Sequence, residues 1–201
     1  MPRTRAYDKA YFDKWYRAAA TRVRSAAEVE RMVRFVLATT DYVLGRPARS
    51  VLDVGAGEGN WQPVLKRLRP TLHYQGLDPS AYAVRRFGRA RNLLLGDLSS
   101  LDTLPLRDGY DLVVANGVLN YLDPDELRAG LPRLVHRADG MLYLEIFTDT
   151  DDVTGDTHFD HLHPAAWYRR LLRRAGLIGL GMHCYLPRHL ESRLAALERS
   201  L

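Results

Sequence analysis
One stretch, Val51-Leu52-Asp53-Val54-Gly55-Ala56-Gly57-Glu58-Gly59-Asn60-Trp61, leaves few folds open to this chain. Four residues of strand character run into three glycines at alternate positions. A helix is expected from Gln62-Pro63, since proline suits a first helical turn. Without a Cβ, glycine lets the backbone turn sharply and lets a ligand lie against it. The helix N-terminus beyond supplies unpaired N–H groups and a positive dipole end, which favour an anionic group. Strand, turn and helix together read as a cofactor cradle.

Spacing narrows the cofactor. The dinucleotide fingerprint G-x-G-x-x-G needs glycine at position 60, where Asn60 stands. A phosphate-binding G-x-x-x-x-G-K-[ST] loop is absent, because no lysine follows Gly59. Asp53, two residues before Gly55, instead completes D-x-G-x-G-x-G around Gly55, Ala56, Gly57 and Gly59. In this motif the chain resembles the class I S-adenosylmethionine (SAM) dependent methyltransferases. The resemblance implies a Rossmann-like, doubly wound α/β fold: a mostly parallel sheet of six or seven strands with helices on both faces.

Later motifs fall where that fold needs them. Tyr74 to Leu77 reads as a second strand ending in Asp78-Pro79-Ser80, with Asp78 19 residues past Gly59. A carboxylate at that interval accepts from both ribose hydroxyls, although Asp before Pro also opens ordinary turns. Leu93 to Leu95 runs into Gly96-Asp97-Leu98. The resemblance implies that the Asp97 carboxylate takes the adenine amino group and the Leu98 N–H a ring nitrogen. Tyr110 to Ala115, apolar on both faces, fits the middle of a covered parallel sheet. It opens onto Asn116-Gly117-Val118-Leu119-Asn120-Tyr121, which resembles the family's methionine-holding segment and adds Asn116 and Tyr121 to the expected cofactor set. Gly140 to Phe147 is a fifth strand carrying Glu145 near its end.

The flanks are expected to cover this core. Residues 1–45 read as an N-terminal helical cover. Within it Tyr7, Tyr11, Phe12, Trp15 and Tyr16 recur at helical spacing, either packing on the core or closing over the cofactor; Tyr11 and Trp15 are the candidates for contact. Ser25 with Glu28 forms a capping box, and Gly45 ends that helix. Asp123-Pro124-Asp125-Glu126 opens another helix, which Pro132 is expected to break. Pro164 opens a helix closed by Gly176. Leu177 to Leu186 reads as a sixth strand, and residues 187–201 as a helix with Leu190, Leu194, Leu197 and Leu201 on one face. That stripe covers the chain's own core or makes a dimer contact, so monomer and homodimer both stay open. No seventh strand is visible.

Thr148 to His163 is polar, with five aspartates and three histidines, and reads as a substrate lid. A sulfonium methyl needs only a lone pair arriving in line, so positioning supplies most of the catalysis. Where the acceptor must lose a proton, His158, His161, His163, Asp149, Asp156 and Glu145 are the candidate bases. The histidines match no recognised zinc spacing, and no metal is expected.

Composition bounds the setting. At 201 residues a single domain of residues 1–201 is expected. No apolar run approaches a bilayer span, and one cysteine, Cys184, fits a reducing compartment, so the expectation is cytoplasmic with no membrane partner. The net charge of +5 admits RNA, but Arg85, Arg86, Arg89 and Arg91, like Arg169, Arg170, Arg173 and Arg174, sit on expected outer helix faces. No [N/D/S]-Pro-Pro-[Tyr/Phe] stands at the fourth motif and no Pro-Cys pair exists, which disfavours methylation of DNA bases. Methyl transfer to an oxygen or nitrogen of a small molecule is therefore the expectation. An RNA-directed methyltransferase and a non-catalytic nucleoside-binding protein are the alternatives.

Overall fold
Strand β4, Tyr110–Asn116, is buried except at its last residue, as its apolar run Leu112 to Ala115 requires. In the computed structural model, which describes residues 7–153, 155–156 and 162–199, it lies mid-sheet. Strand β1 (Ser50–Val54) pairs parallel with β4 and with β2 (His73–Asp78); β3 (Leu93–Leu95) lies outside β2, and β5 (Ala138–Glu145) runs parallel on β4's other side. Two further strands, β6 (Leu177–Gly181) and β7 (Cys184–Pro187), form a hairpin whose β7 arm pairs antiparallel with β5. The order is β3-β2-β1-β4-β5-β7-β6, so the C-terminal ends of β1 to β5 all open on one edge.

Alternation along the strands splits the core in two. Leu112 and Val114 of β4 join Val51 and Met141 under helices α2 (Ala26–Leu44) and α3 (Trp61–Leu68). Val113 and Ala115 join Leu52, Val54, Leu142 and Leu144 under α5 (Pro124–His136) and α6 (Ala165–Arg174). Each such Leu or Val, fully withdrawn from water, contributes about 1.5–3 kcal/mol before the entropy of ordering it is subtracted. Helix α4 (Ala81–Arg91) packs against β2 and β3. At the entry to β1, Asp111 accepts from Arg46 Nη1 and Nη2 at 3.0 and 2.6 Å and from the Arg49 N–H at 2.6 Å, tying that connection to β4.

Helix ends follow the sequence closely. Ser25 and Glu28 form both bonds of the capping box, and Gly45 closes α2 with a left-handed φ of 65°. Asp123 caps α5 and receives Glu126 in return. The N-terminal aromatic segment is a short helix α1 (Lys9–Phe12) capped by Asp8, continuing as a π-helical turn over Asp13–Arg17.

Three expectations are corrected. Pro132 does not break α5, which runs unbroken to His136, and Pro132 stands on the exposed side of the helix. The segment 177–186 is two strands, because Met182 and His183 both take left-handed φ (49° and 63°) and turn the chain back, supplying the missing seventh strand. Residues 187–199 are two short 3₁₀ turns, Arg188–Arg193 and Ala196–Glu198, not a helix. Leu194 is buried whereas Leu197 is 97% exposed, so these two share no face; Leu201 lies outside the described residues. Among the described residues, no helix is long and apolar enough to cross a membrane.

Candidate active site
The glycine turn hangs from the end of β1. Gly55 and Ala56 donate their N–H groups to the Leu77 carbonyl at 2.8 and 2.9 Å, fastening the turn to β2. Gly55 takes φ 73°, and a Cβ there would lie 2.5 Å from Val118 Cγ1, so the position requires glycine twice over. Two carboxylates lie beneath. Asp53, 2% exposed, accepts from the Tyr74 hydroxyl at 2.8 Å. Burial raises its pKa to about 7, against the pull of the Tyr74 bond and with a smaller push from the Asp78 charge. Asp78 accepts from the Gly57 and Ser80 N–H groups at 2.6 and 2.9 Å. Burial lifts it to about 6, those two bonds opposing.

The N-terminal segment lies over this half of the site. A Cβ on Gly57 would collide with the Tyr16 hydroxyl. The Tyr7 carbonyl accepts from Ser80 Oγ, Phe12 (1% exposed) stacks on Tyr82 with centroids 5.7 Å apart, and Arg17 pairs with buried Glu58. Burial raises the Glu58 carboxyl, more than Arg17 and Arg91 lower it.

Beyond the turn, an open cavity runs towards the C-terminal ends of β4 and β5. Of the residues singled out from sequence, Tyr11, Trp15, Asp53, Gly55, Ala56, Asn116, Tyr121, Glu145 and Asp156 line it together. Asn116 and Glu145 are register partners on adjacent parallel strands. The Asn116 Oδ1 is buried and has no hydrogen-bond partner. Glu145, 7% exposed, engages Arg24 through Oε1, while its Oε2 lies over Gly117, 3.3 Å from where a Cβ would stand. The Tyr121 hydroxyl donates to Asp156 Oδ2 at 3.2 Å, across to the segment that follows β5. Behind the wall, Asn120 is wholly buried and holds the start of that segment, accepting from the Phe147 N–H at 2.9 Å and donating to its carbonyl at 2.8 Å.

The other singled-out residues lie elsewhere. Gly57 lies in the turn under Tyr16, Gly59 in the turn against Leu93 and Arg91, and Asp78 at the end of β2 with Pro79 exposed beside it. Asp97 stands at the end of β3 as expected, but is exposed and caps its own loop through Ser99 and Ser100. Burial pushes its carboxyl up, yet those bonds outweigh it and hold the group below its ordinary value. The Leu98 side chain is buried against Gly130. Asp149 receives no cavity position, and His163 stacks on Trp167 at 4.0 Å. His158 and His161 fall outside the described residues. Sequence reasoning missed Tyr16, Arg24, Trp61 and Phe147 among the lining residues. Tyr16 shared the aromatic spacing of its neighbours, whereas Arg24 was one arginine among many.

Residues 52–140 match the family model described as a methyltransferase domain. That stretch carries a methyltransferase domain. Solved structures agree in fold. The magnesium protoporphyrin IX methyltransferase of Synechocystis PCC 6803, determined with S-adenosylhomocysteine (SAH) bound, is 19% identical over 90% of this chain and 96% of its own, at a TM-score of 0.65. A SAM-dependent methyltransferase of Archaeoglobus fulgidus is 20% identical over 84% of this chain and 73% of its own, at 0.60. An O-methyltransferase family protein of Burkholderia thailandensis is 23% identical over 80% of this chain, at 0.54; the chain spans 56% of that protein's length. No curated protein matches the chain by sequence. The chain's own residues fit the cofactor: Gly55 and Gly57 leave no room for a Cβ, two buried carboxylates lie beside them, and the Asn116 Oδ1 is buried without a hydrogen-bond partner.

Proposed function
We propose that this methyltransferase moves a methyl group from SAM to an oxygen or nitrogen of a small molecule held in the cavity between the glycine turn and the ends of β4 and β5. The observation that carries the reading is the continuity of that cavity, from the backbone of Gly55 and Ala56 past Asn116 to Glu145, Phe147 and Asp156. Asp78 and Asp97, with the Leu98 N–H, would serve the adenosyl part, and Asp53 and Asn116 the methionine part. Tyr11, Trp15 and Tyr16 would cover them. The cofactor supplies an activated methyl on a sulfonium. The protein's share is to orient the acceptor, exclude water and, where the acceptor needs it, receive a proton at Glu145 or Asp156. The segment 148–163, which contributes Val153 and Asp156 to the wall, is the acceptor-facing lid in this reading. A cytoplasmic setting belongs to the same reading.

Small-molecule acceptors are favoured over RNA because none of the arginines of α4 or α6 lines the cavity. Calorimetric titration with SAM and SAH tests the whole. Binding of either below about 1 mM is expected, and no heat from both at that concentration ends the reading. Strongly salt-dependent binding to tRNA would transfer the acceptor role to RNA.

A further inference from the structure
We propose that Tyr74 is a positioning residue for the cofactor: its buried hydroxyl holds one oxygen of Asp53 so that the other meets the methionine ammonium. This rests on the methyl-transfer reading and adds to it a residue that touches no ligand. Parallel register sets the geometry. Asp53 of β1 stands beside Gly76 of β2, and Val51 beside Tyr74, so all four share one face of the sheet. The Tyr74 ring belongs to the apolar core under α2 and α3, and its hydroxyl donates to Asp53 Oδ2 at 2.8 Å. To get there it runs past Gly76. A Cβ on Gly76 would stand 3.1 Å from the Tyr74 hydroxyl and 2.4 Å from Leu93, so the missing side chain is what leaves the path open.

Tyr74 and Asp53 are each 2% exposed, so water cannot take the place of either partner. The second oxygen of Asp53, Oδ1, makes no hydrogen bond among the described residues, and Asp53 forms part of the cavity wall. A carboxylate fixed by one oxygen and free at the other is an oriented acceptor, suited to a charged N–H donor. A core tyrosine does not need a carboxylate to satisfy its hydroxyl. Tyr110 of β4, 1% exposed, is met instead by the Arg107 N–H at 3.3 Å.

The titratable groups that face Asp53 among the described residues are Tyr74, Asp78 at the end of β2, and Tyr16 of the N-terminal segment. Burial raises the Asp53 carboxyl to about 7, with the Tyr74 bond opposing and the Asp78 charge adding. Removing the hydroxyl therefore moves the carboxyl further up and leaves it free to turn.

The test is SAH affinity, by titration calorimetry from about pH 6 to about pH 9, for the wild type and for Tyr74→Phe, which keeps the ring in the core. Wild-type affinity should rise through about pH 7 as Asp53 ionises. Tyr74→Phe should bind SAH about fivefold more weakly or worse at pH 7, and its rise should lie at higher pH, so the deficit shrinks towards pH 9. In an Asp53→Ala background the same substitution should cost less than about twofold. Tyr110→Phe, which removes a buried hydroxyl away from the cavity, should leave affinity and pH profile unchanged. Titrations are run well below each variant's Tm, so stability lost with a hydroxyl does not enter. A Tyr74→Phe affinity within about twofold of wild type at pH 7 overturns the proposal. So does a flat wild-type profile, an unmoved one in Tyr74→Phe, or a full loss that persists without the Asp53 carboxylate. Failure of SAH to bind the wild type would instead remove the methyltransferase reading.

Discussion

Cofactor binding should release about one proton near pH 6.5. Burial holds Asp53 at about 7 and Asp78 at about 6. At that pH the first is about three-quarters protonated and the second about one-quarter. In the proposed complex an ammonium stands near Asp53 and ribose hydroxyls donate to Asp78. Both changes favour the charged form and drive the two carboxyls towards full ionisation. The release should shrink to about a tenth of a proton or less by pH 8.5, where both groups are already ionised in the free protein. SAH is the ligand of choice, because its neutral thioether leaves only the amino-acid and ribose contacts in play. The assay is titration calorimetry in buffers of different ionisation enthalpy, where the slope of heat against that enthalpy counts protons. Asp53→Asn should remove most of the release, since Asp53 holds the larger share. Zero release, net uptake, or an undiminished slope in the Asp53→Asn protein would refute the placement of these carboxylates under the cofactor.

Two further outcomes follow from the geometry. Gly55→Ala should destabilise the protein by about 2 kcal/mol or more, combining a left-handed φ with the clash against Val118. Adding Val118→Ala should recover the steric share only, which urea unfolding of the two proteins will measure. Asp111→Asn should cost about 1–3 kcal/mol by lowering the order of its bonds to Arg46 and the Arg49 N–H, read as a drop in Tm. Burial pushes the Asp111 carboxyl up, but these bonds outweigh it and hold the group below its ordinary value. Their contribution is therefore fully present above about pH 4 and is lost as the pH falls through the lowered folded value.

Much of this was legible because short-range rules decided it. The glycine turn, the capping boxes of Ser25 with Glu28 and Asp123 with Glu126, and the strand at Leu93–Leu95 depend on residues within a few positions of one another. What escaped depends on context. Met182 and His183 carry no turn signature, and their left-handed backbone is imposed by the hairpin that pairs β7 with β5. Pro132 is tolerated because of the side of α5 it occupies, which the residue itself does not reveal. Leu190, Leu194 and Leu197 keep a helical spacing without an α-helix, and Leu197 is left exposed. The Arg24–Glu145 pair joins residues 121 positions apart, and Tyr16 reaches Gly57 only after the N-terminal segment has folded back. Local chemistry thus identified the cradle, while the cavity's walls emerged only in three dimensions.

The anchoring of Tyr7, Phe12, Tyr16 and Arg17 beside the glycine turn has a practical corollary for anyone preparing the protein. A purification tag fused upstream of Tyr7 is leashed within a few residues of the nucleoside end of the site, so it will perturb measured affinities. Fusions belong at the other end, beyond the edge hairpin, where Ala196–Glu198 is exposed.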